Sequence, residues 1–230
     1  MDFQPVKASD KEIIDKYMKK ANSRSCDMSF AAVYLWKDFY LLEYTVCEDM
    51  LIFRTTEDGS SYSFPIGDAS PEKALLALEA HCKENEEPLK LHCVYRENEA
   101  WLEEHMPGKF EIEFDRDSAD YIYECEKLIG LKGKKFHGKK NHVNKFIKTY
   151  DWAYEKITDD NIDDCLAMLY KWKEINCEPG NIEKHAEACV SENALRKREF
   201  LGLKGGLLRA NGEVVAFALG EQVNEDTLVV

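Results

Sequence analysis

The chain has 230 residues, 44% of them hydrophobic and 33% charged, and its net charge is −13. This length allows one or two domains, and the balance of residue types favours a folded core over disorder. The charge argues against DNA as a partner, and we find neither an apolar stretch long enough to cross a bilayer nor the basic and apolar segments of an export signal.

The first half of the chain alternates between helical and strand patterns. Apolar residues from Ile13 to Met18 recur at helical spacing, and Ser29 is placed to cap a second helix. Turn residues then separate three apolar runs, which predicts an antiparallel meander. The predicted elements after the first helix are a helix over 30–36, strands over 40–46, 51–56 and 62–66, a helix from Pro71, a strand over 89–95, a helix over 97–105, and strands over 110–114 and 119–125.

The second half repeats part of this order. The strongest hairpin signal in the chain is Asn211-Gly212 between two apolar runs. The four tryptophans fall on predicted apolar faces, which favours core packing. The predicted elements are a helix over 135–150, a strand over 152–157, helices over 158–175 and 183–200, and strands over 206–209, 214–220 and 227–230.

A basic segment interrupts this acidic protein. Residues 127–148 contain eight lysines, two histidines and no acidic residue, which leaves 23 basic and 44 acidic residues, or −21, in the remainder. Such a segment predicts contact with a phosphate-rich partner. The alternative interpretation is a lysine-rich helix that is stabilised by acidic neighbours and needs no ligand.

The eight cysteines are scattered and form no CxxC pair, which predicts reduced thiols in a cytoplasmic protein. His185 and Cys189 are the only pair at near-helical spacing, so we predict no metal site. No Ser-His-Asp order, P-loop, GxGxxG or HExxH motif is present.

Particular motifs resemble a bacterial family of uncharacterised proteins related to the C-terminal domain of phosphatidylglycerol lysyltransferase. The most specific is Lys140-Asn141-His142-Val143-Asn144-Lys145-Phe146. The others are Phe110-Glu111-Ile112, Asp115-Arg116-Asp117, Asp120-Tyr121-Ile122-Tyr123, Leu131-Lys132-Gly133-Lys134-Lys135-Phe136-His137, Met28-Ser29-Phe30, Leu35-Trp36, Gly205-Gly206 and Asn224-Glu225-Asp226-Thr227.

The resemblance implies an α+β fold made of two N-acetyltransferase-like (GNAT-like) copies, residues 1–127 and 128–230. The second copy is expected to be incomplete, because the helix that would hold the donor phosphate would follow Val230. It also implies transfer of an acyl or aminoacyl group, with acyl-CoA or aminoacyl-tRNA as donor. A small phosphorylated molecule, a lipid headgroup or tRNA is the expected partner.

The candidate binding residues lie in the basic segment. Asn141 and Asn144 are poor helix formers, which favours a specific hydrogen-bonding task, and histidines can act as acids or bases. Glu221 and Asp226 flank the last hairpin, where GNAT-like enzymes often place a base. A turn at Asn224-Glu225-Asp226 explains Asp226 equally well. The predicted substrate-binding residues are Lys134, Lys135, His137, Lys139, Lys140, Asn141, His142, Asn144 and Lys145.

Two functions from different classes remain open. The first is a transferase, and the second is a non-catalytic binding or regulatory protein that keeps the fold. The second is favoured by the loop at residues 66–72, where Asp68 and Glu72 would repel the phosphate of a donor. The apolar strand 227–230 also predicts self-association through an unpaired edge.

Overall fold

The computed structural model describes residues 1–57 and 59–230. The chain divides into two compact units, one formed by residues 1–115 with 222–229 and the other by residues 116–221 with Val230. Helices and two mainly antiparallel sheets make it an α+β protein. This confirms the predicted fold class.

In the first 115 residues, a short strand and two helices come before a three-stranded meander, and a helix, a strand and a helix follow it. Beyond residue 124, helices and one strand come first and three strands come last. The elements of the first 115 residues are β1 (Gln4–Pro5), a 3₁₀ turn (Ala8–Asp10), α1 (Lys11–Ala21), α2 (Phe30–Trp36), β2 (Glu43–Cys47), β3 (Met50–Thr55), β4 (Ser61–Ser63), α3 (Glu72–Glu84), β5 (Leu91–His92) and α4 (Arg96–His105). The remaining elements are α5 (Cys125–Gly130), a 3₁₀ turn (Lys134–Phe136), α6 (His137–Thr149), β6 (Trp152–Lys156), α7 (Ile162–Asn176), α8 (Ile182–Arg196), α9 (Arg198–Leu201), β7 (Lys204–Ala210), β8 (Glu213–Gln222) and β9 (Leu228–Val229).

The sheet of the first unit has the order β1-β2-β3-β4-β5. Its pairs are antiparallel except for β4 and β5, which run parallel with Tyr62 opposite Leu91. Helix α3 connects these two strands, as a parallel pair requires. Ile52, Tyr62 and Leu78 are fully buried where the sheet meets α3, so the core lies between the sheet and this helix.

Helix α2 begins where the sequence predicts. Ser29 is in an extended conformation, and its Oγ accepts a hydrogen bond from the amide of Ala32. This bond satisfies one of the amides that the first turn of a helix leaves unpaired. Phe30, Ala31 and Val33 are buried immediately after this cap, so the cap fixes the start of a buried helix.

In the second unit, strands β6, β7 and β8 pair antiparallel in that order. Their core residues pack with those of α7 and α8, and Leu195 and Leu207 are almost completely buried. Asn211 and Gly212 join β7 to β8 with φ values of +52° and +86°. These are the left-handed conformations that a tight hairpin turn requires, and they confirm the Asn-Gly prediction.

The two strands predicted over residues 110–114 and 119–125 are wrong. The structure gives residues 110–124 no strand, and Cys125 begins helix α5 instead. Phe114, Tyr121 and Ile122 are each at least 70% exposed. Alternation predicts which side chains share a face, but a strand also needs a neighbour that exchanges backbone hydrogen bonds. No such neighbour pairs with these described residues.

Some helix boundaries and one predicted core position also differ. The helix predicted from Thr158 begins at Ile162, because Asn161 Oδ1 accepts a hydrogen bond from the Thr158 amide and closes a turn first. The helix predicted over 183–200 is two helices, α8 and α9, which meet at Lys197. Trp152, predicted in the core, is 42% exposed. Of the helices that the structure describes, none is long and apolar enough to span a bilayer.

Candidate anion-binding site

The basic segment, residues 127–148, bends sharply before α6 begins. Leu131 caps α5 in a left-handed conformation, and its amide donates to the carbonyl of Lys127. Gly133 follows with φ of +91°, a value that favours glycine, and nothing lies within 4 Å of where its Cβ would be. The 3₁₀ turn over Lys134–Phe136 then leads into His137. These turns bring the lysines before α6 close to the amide-rich start of that helix.

An open depression of about 740 Å³ lies at this bend. Lys134, His137 and Lys140, three of the predicted binding residues, line it. The other lining residues are Leu131, Lys132, Gly133 and Gly138, which sequence reasoning missed as binding residues. The signal for them was the pair of glycines, five residues apart, within a lysine-rich run. The depression therefore combines the positive charge of the lysines with backbone that the two glycines leave exposed.

Seven of the eight lysines in the basic segment make no ion pair with the residues that the structure describes. Lys127 pairs with Glu124 at 2.6 Å between Nζ and Oε1. No carboxylate of the described residues lies within ion-pair distance of the side chains of the other seven lysines, which are exposed: Lys132, Lys134, Lys135, Lys139, Lys140, Lys145 and Lys148. Local ion pairs with acidic neighbours therefore do not explain the segment.

Most of the predicted binding residues lie beyond the depression along α6. Lys135, Lys139, Asn141, His142, Asn144 and Lys145 are exposed and are not among its lining residues. Within the part of the chain that the structure describes, the side chains of Asn141 and Asn144 make no hydrogen bond. Their side-chain amides therefore remain accessible to a ligand.

The carboxylate of Asp226 is poorly suited to act as a general base. Its Oδ1 accepts a hydrogen bond from the Thr227 hydroxyl at 2.7 Å, and its Oδ2 lies 2.5 Å from Arg24 Nη2 within the first unit. The hydrogen bond from Thr227 and the positive charge of Arg24 lower the pKa of Asp226. A base that accepts protons near neutral pH needs a higher pKa. Glu221 is half-buried at the end of β8.

The loop after β4 is acidic where a donor phosphate would be held. Lys20 Nζ lies 2.8 Å from Asp68 Oδ1, and this hydrogen bond lowers the pKa of Asp68. Glu72 occupies the first turn of α3, where it already interacts with the helix dipole. Gly67 is packed against Met50, whose Sδ lies 2.9 Å from where a Cβ on Gly67 would be. The loop therefore presents negatively charged side chains to an incoming phosphate.

The pair His185 and Cys189 does not form part of a metal centre in the described residues. His185 Nε2 lies 3.3 Å from the carbonyl of Glu178, and Cys189 is exposed. Among the residues the structure describes, no group of three or more His, Cys, Asp or Glu side chains is arranged to hold a metal ion.

The chain is similar to proteins whose own functions are not assigned. A crystal structure of a conserved protein of unknown function from Bacteroides thetaiotaomicron matches with a TM-score of 0.89 and 33% identity, over 97% of this chain and 76% of that one. An uncharacterized protein of Mycoplasmoides gallisepticum is 33% identical over 63 residues. These residues are 26% of this chain, and the match spans only 20% of that curated relative.

Fold and site together define a two-unit α+β protein with a cationic depression and an exposed basic helix. The family model described as "Phosphatidylglycerol lysyltransferase, C-terminal" matches residues 18–230. The chain therefore belongs to the phosphatidylglycerol lysyltransferase C-terminal family, which confirms the family relationship that its motifs predict.

Proposed function

We propose that this protein is an acyl- or aminoacyl-transferase that uses the basic segment to bind a phosphate-rich donor or acceptor. The single observation that carries the proposal is the set of seven exposed lysines without an internal ion pair. The net charge of the protein is −13, yet these uncompensated cations lie together in one segment. This clustering favours an anionic ligand for them. Family membership supports group transfer as the reaction class.

The spacing of the cations favours a ligand with several phosphates. Helix α6 has 13 residues and is about 20 Å long, at roughly 1.5 Å for each residue. Lys134 and Lys140 line the depression, whereas Lys145 and Lys148 lie further along the helix. A single phosphate group cannot contact all of them. An aminoacyl-tRNA donor, or an acyl-CoA bound beside a lipid headgroup, has phosphates spread over such a distance.

The binding test is a charge-reversal variant with a matched control. K139E/K140E/K145E and K73E/K90E/K184E each change the net charge by the same amount, and all six lysines are exposed. Binding of tRNA and of acetyl-CoA is measured at several salt concentrations. We expect the first variant to bind more weakly and to reduce the slope of log affinity against log salt by roughly 2–3. Equal losses in both variants would mean that net charge alone matters.

A second candidate function is a binding or regulatory protein without catalysis. The observation in its favour is the loop after β4, where Asp68 and Glu72 oppose a donor phosphate. Turnover separates the two candidates. Transfer of the acyl or aminoacyl group that depends on Lys139, Lys140 and Lys145 would support the transferase, whereas tight binding of the same ligands without any product would support the binding protein.

A further inference from the structure

Two thiols that are far apart in the sequence share one carboxylate in the first unit. Cys26 Sγ lies 3.9 Å from Asp27 Oδ1, and Cys93 Sγ lies 3.7 Å from Asp27 Oδ2. Each sulfur therefore faces a different oxygen of the same side chain. Neither cysteine is in a disulfide, so two reduced thiols lie around one carboxylate.

Both thiols are on segments outside the regular elements. Cys26 is exposed, in the turn that connects α1 to α2. Cys93 follows β5 directly and has φ of +53°, a left-handed conformation that is uncommon for a residue with a side chain. The approach of one sulfur to the other therefore involves two segments that are outside the helices and strands.

The other cysteines differ from this pair. Cys82 and Cys165 are buried, and burial raises the pKa of both thiols. Cys125 and Cys189 are exposed, and in the part of the chain that the structure describes neither shares a carboxylate with a second thiol. Within the described residues, Cys26 and Cys93 are thus the pair with both access to solvent and a common neighbour.

We propose that Cys26 and Cys93 form a dithiol modification site that a low-molecular-weight disulfide converts into an intramolecular disulfide. Cys26 loses its proton to solvent, and its thiolate attacks one sulfur of the small disulfide and releases one thiolate. Cys93 then loses its proton and attacks the Cys26 sulfur, which releases a second thiolate. Two protein thiols are oxidised, one small disulfide is reduced to two thiols, and the two protons end on these products.

The turn that carries Cys26 also contacts residues 224 and 226. Asn224 Nδ2 donates to the carbonyl of Ser23 at 3.0 Å, and Arg24 pairs with Asp226, all within the first unit. A bond from Cys26 to Cys93 would pull residues 25–27 toward the end of β5. This site goes beyond the proposed transferase function and does not depend on it.

The test is peptide mapping of the whole chain after incubation with oxidised glutathione, without a reducing agent. We expect a cross-linked peptide that contains Cys26 and Cys93 and a loss of two hydrogens. C93S should instead accumulate the mixed disulfide of glutathione with Cys26. Cys125 and Cys189 serve as internal controls that react without forming a cross-link. Separate mixed disulfides on Cys26 and Cys93 in the unaltered chain would overturn the proposal.

Two further measurements test the geometry itself. D27N removes the negative charge beside both sulfurs and one of the two acceptor oxygens, so cross-linking should become several-fold faster. The cross-link should also raise the midpoint of thermal unfolding by several degrees, because it restricts the unfolded chain. C26S treated in the same way should show no such rise. A cross-linked chain with an unchanged or lower midpoint would mean that the bond strains the fold, and would contradict a built site.

Discussion

Arg209 of β7 and Glu155 of β6 form an ion pair across neighbouring strands, with Arg209 Nε donating to Glu155 Oε1 at 2.7 Å. The same guanidinium donates through Nη2 to Asp164 of α7 at 2.6 Å. These hydrogen bonds raise the pKa of Arg209, with Glu155 as the largest cause, and lower the pKa of Glu155. One side chain therefore connects two strands to the helix that covers them.

We predict that R209M destabilises the second unit more than E155Q does. R209M leaves two carboxylates without their shared cation, whereas E155Q keeps the contact to Asp164 and the donor from Asn161. Urea unfolding followed by far-ultraviolet circular dichroism measures both midpoints. An E155Q variant that unfolds at lower urea than R209M would show that the Asp164 contact contributes little.

Gly205 and Gly138 should respond oppositely to an added methyl group. A Cβ on Gly205 would lie 2.4 Å from the carbonyl oxygen of Ala218, which is backbone and cannot move aside. G205A should therefore destabilise the chain by roughly 1–3 kcal/mol. Gly138 has nothing within 4 Å of its Cβ position and lies in α6, so G138A should stabilise it by about 0.5 kcal/mol. Thermal unfolding of both variants checks this, and equal effects would contradict the close approach at Gly205.

S29A should destabilise the first unit by about 1 kcal/mol, the usual effect of removing a helix cap. Ser29 is 5% exposed, so water cannot easily replace its bond to the Ala32 amide. Ser9 provides the control because it is exposed and, among the described residues, its hydroxyl hydrogen-bonds only to its neighbour Asp10, at 3.1 Å. S9A should change the free energy of unfolding by less than about 0.5 kcal/mol. Chemical denaturation measures both, and S29A with no greater effect than S9A would remove the cap as a source of stability.

His92 should make the fold sensitive to acid. Burial lowers its pKa to about 4, and Ser61 Oγ lies 2.7 Å from its Nδ1. Between this value and the ordinary value near 6.5, the unfolded chain binds the proton that the folded chain excludes. Stability from this group is therefore complete above about pH 6.5 and is lost as the pH falls toward 4, by at most about 3 kcal/mol.

The measurement for His92 is the difference in unfolding free energy between pH 7 and pH 4.5. H92N cannot titrate in this range, so its pH dependence should be shallower than that of the unaltered chain. His81, whose pKa burial also lowers, remains in both proteins and cancels in the comparison. Parallel pH profiles for the two proteins would show that His92 titrates normally.

The sequence predicted best those features that depend on neighbouring residues. Asn211-Gly212 and Ser29 were found because turn and cap chemistry act over two or three residues. The strands over 110–114 and 119–125 were wrong, because pairing depends on a partner that the local pattern does not contain. Trp152 was placed in the core for the same reason, since its exposure depends on what lies opposite β6.

The candidate site was also predictable from the sequence only in part. The density of lysines over residues 127–148 was visible in the sequence, and so were Lys134, His137 and Lys140. The lack of a described carboxylate near seven of these lysines was not, because an ion pair can join residues that are distant in sequence. The shared carboxylate of Cys26 and Cys93 was hidden for this reason too, since Asp27 and Cys93 meet only in the folded chain.

The parallel pairing of β4 and β5 sets an order for folding during synthesis. The amides of Tyr62 and Phe64 donate to the carbonyls of Lys90 and His92, so one edge of β4 has no acceptor until residue 92 has left the ribosome. The meander can form early from short-range contacts, whereas this edge must wait for the whole of α3 to be made. A ribosome-bound chain that ends before Leu91 should therefore expose β4 to proteases and chaperones, and a chain about one exit-tunnel length longer than residue 92 should protect it.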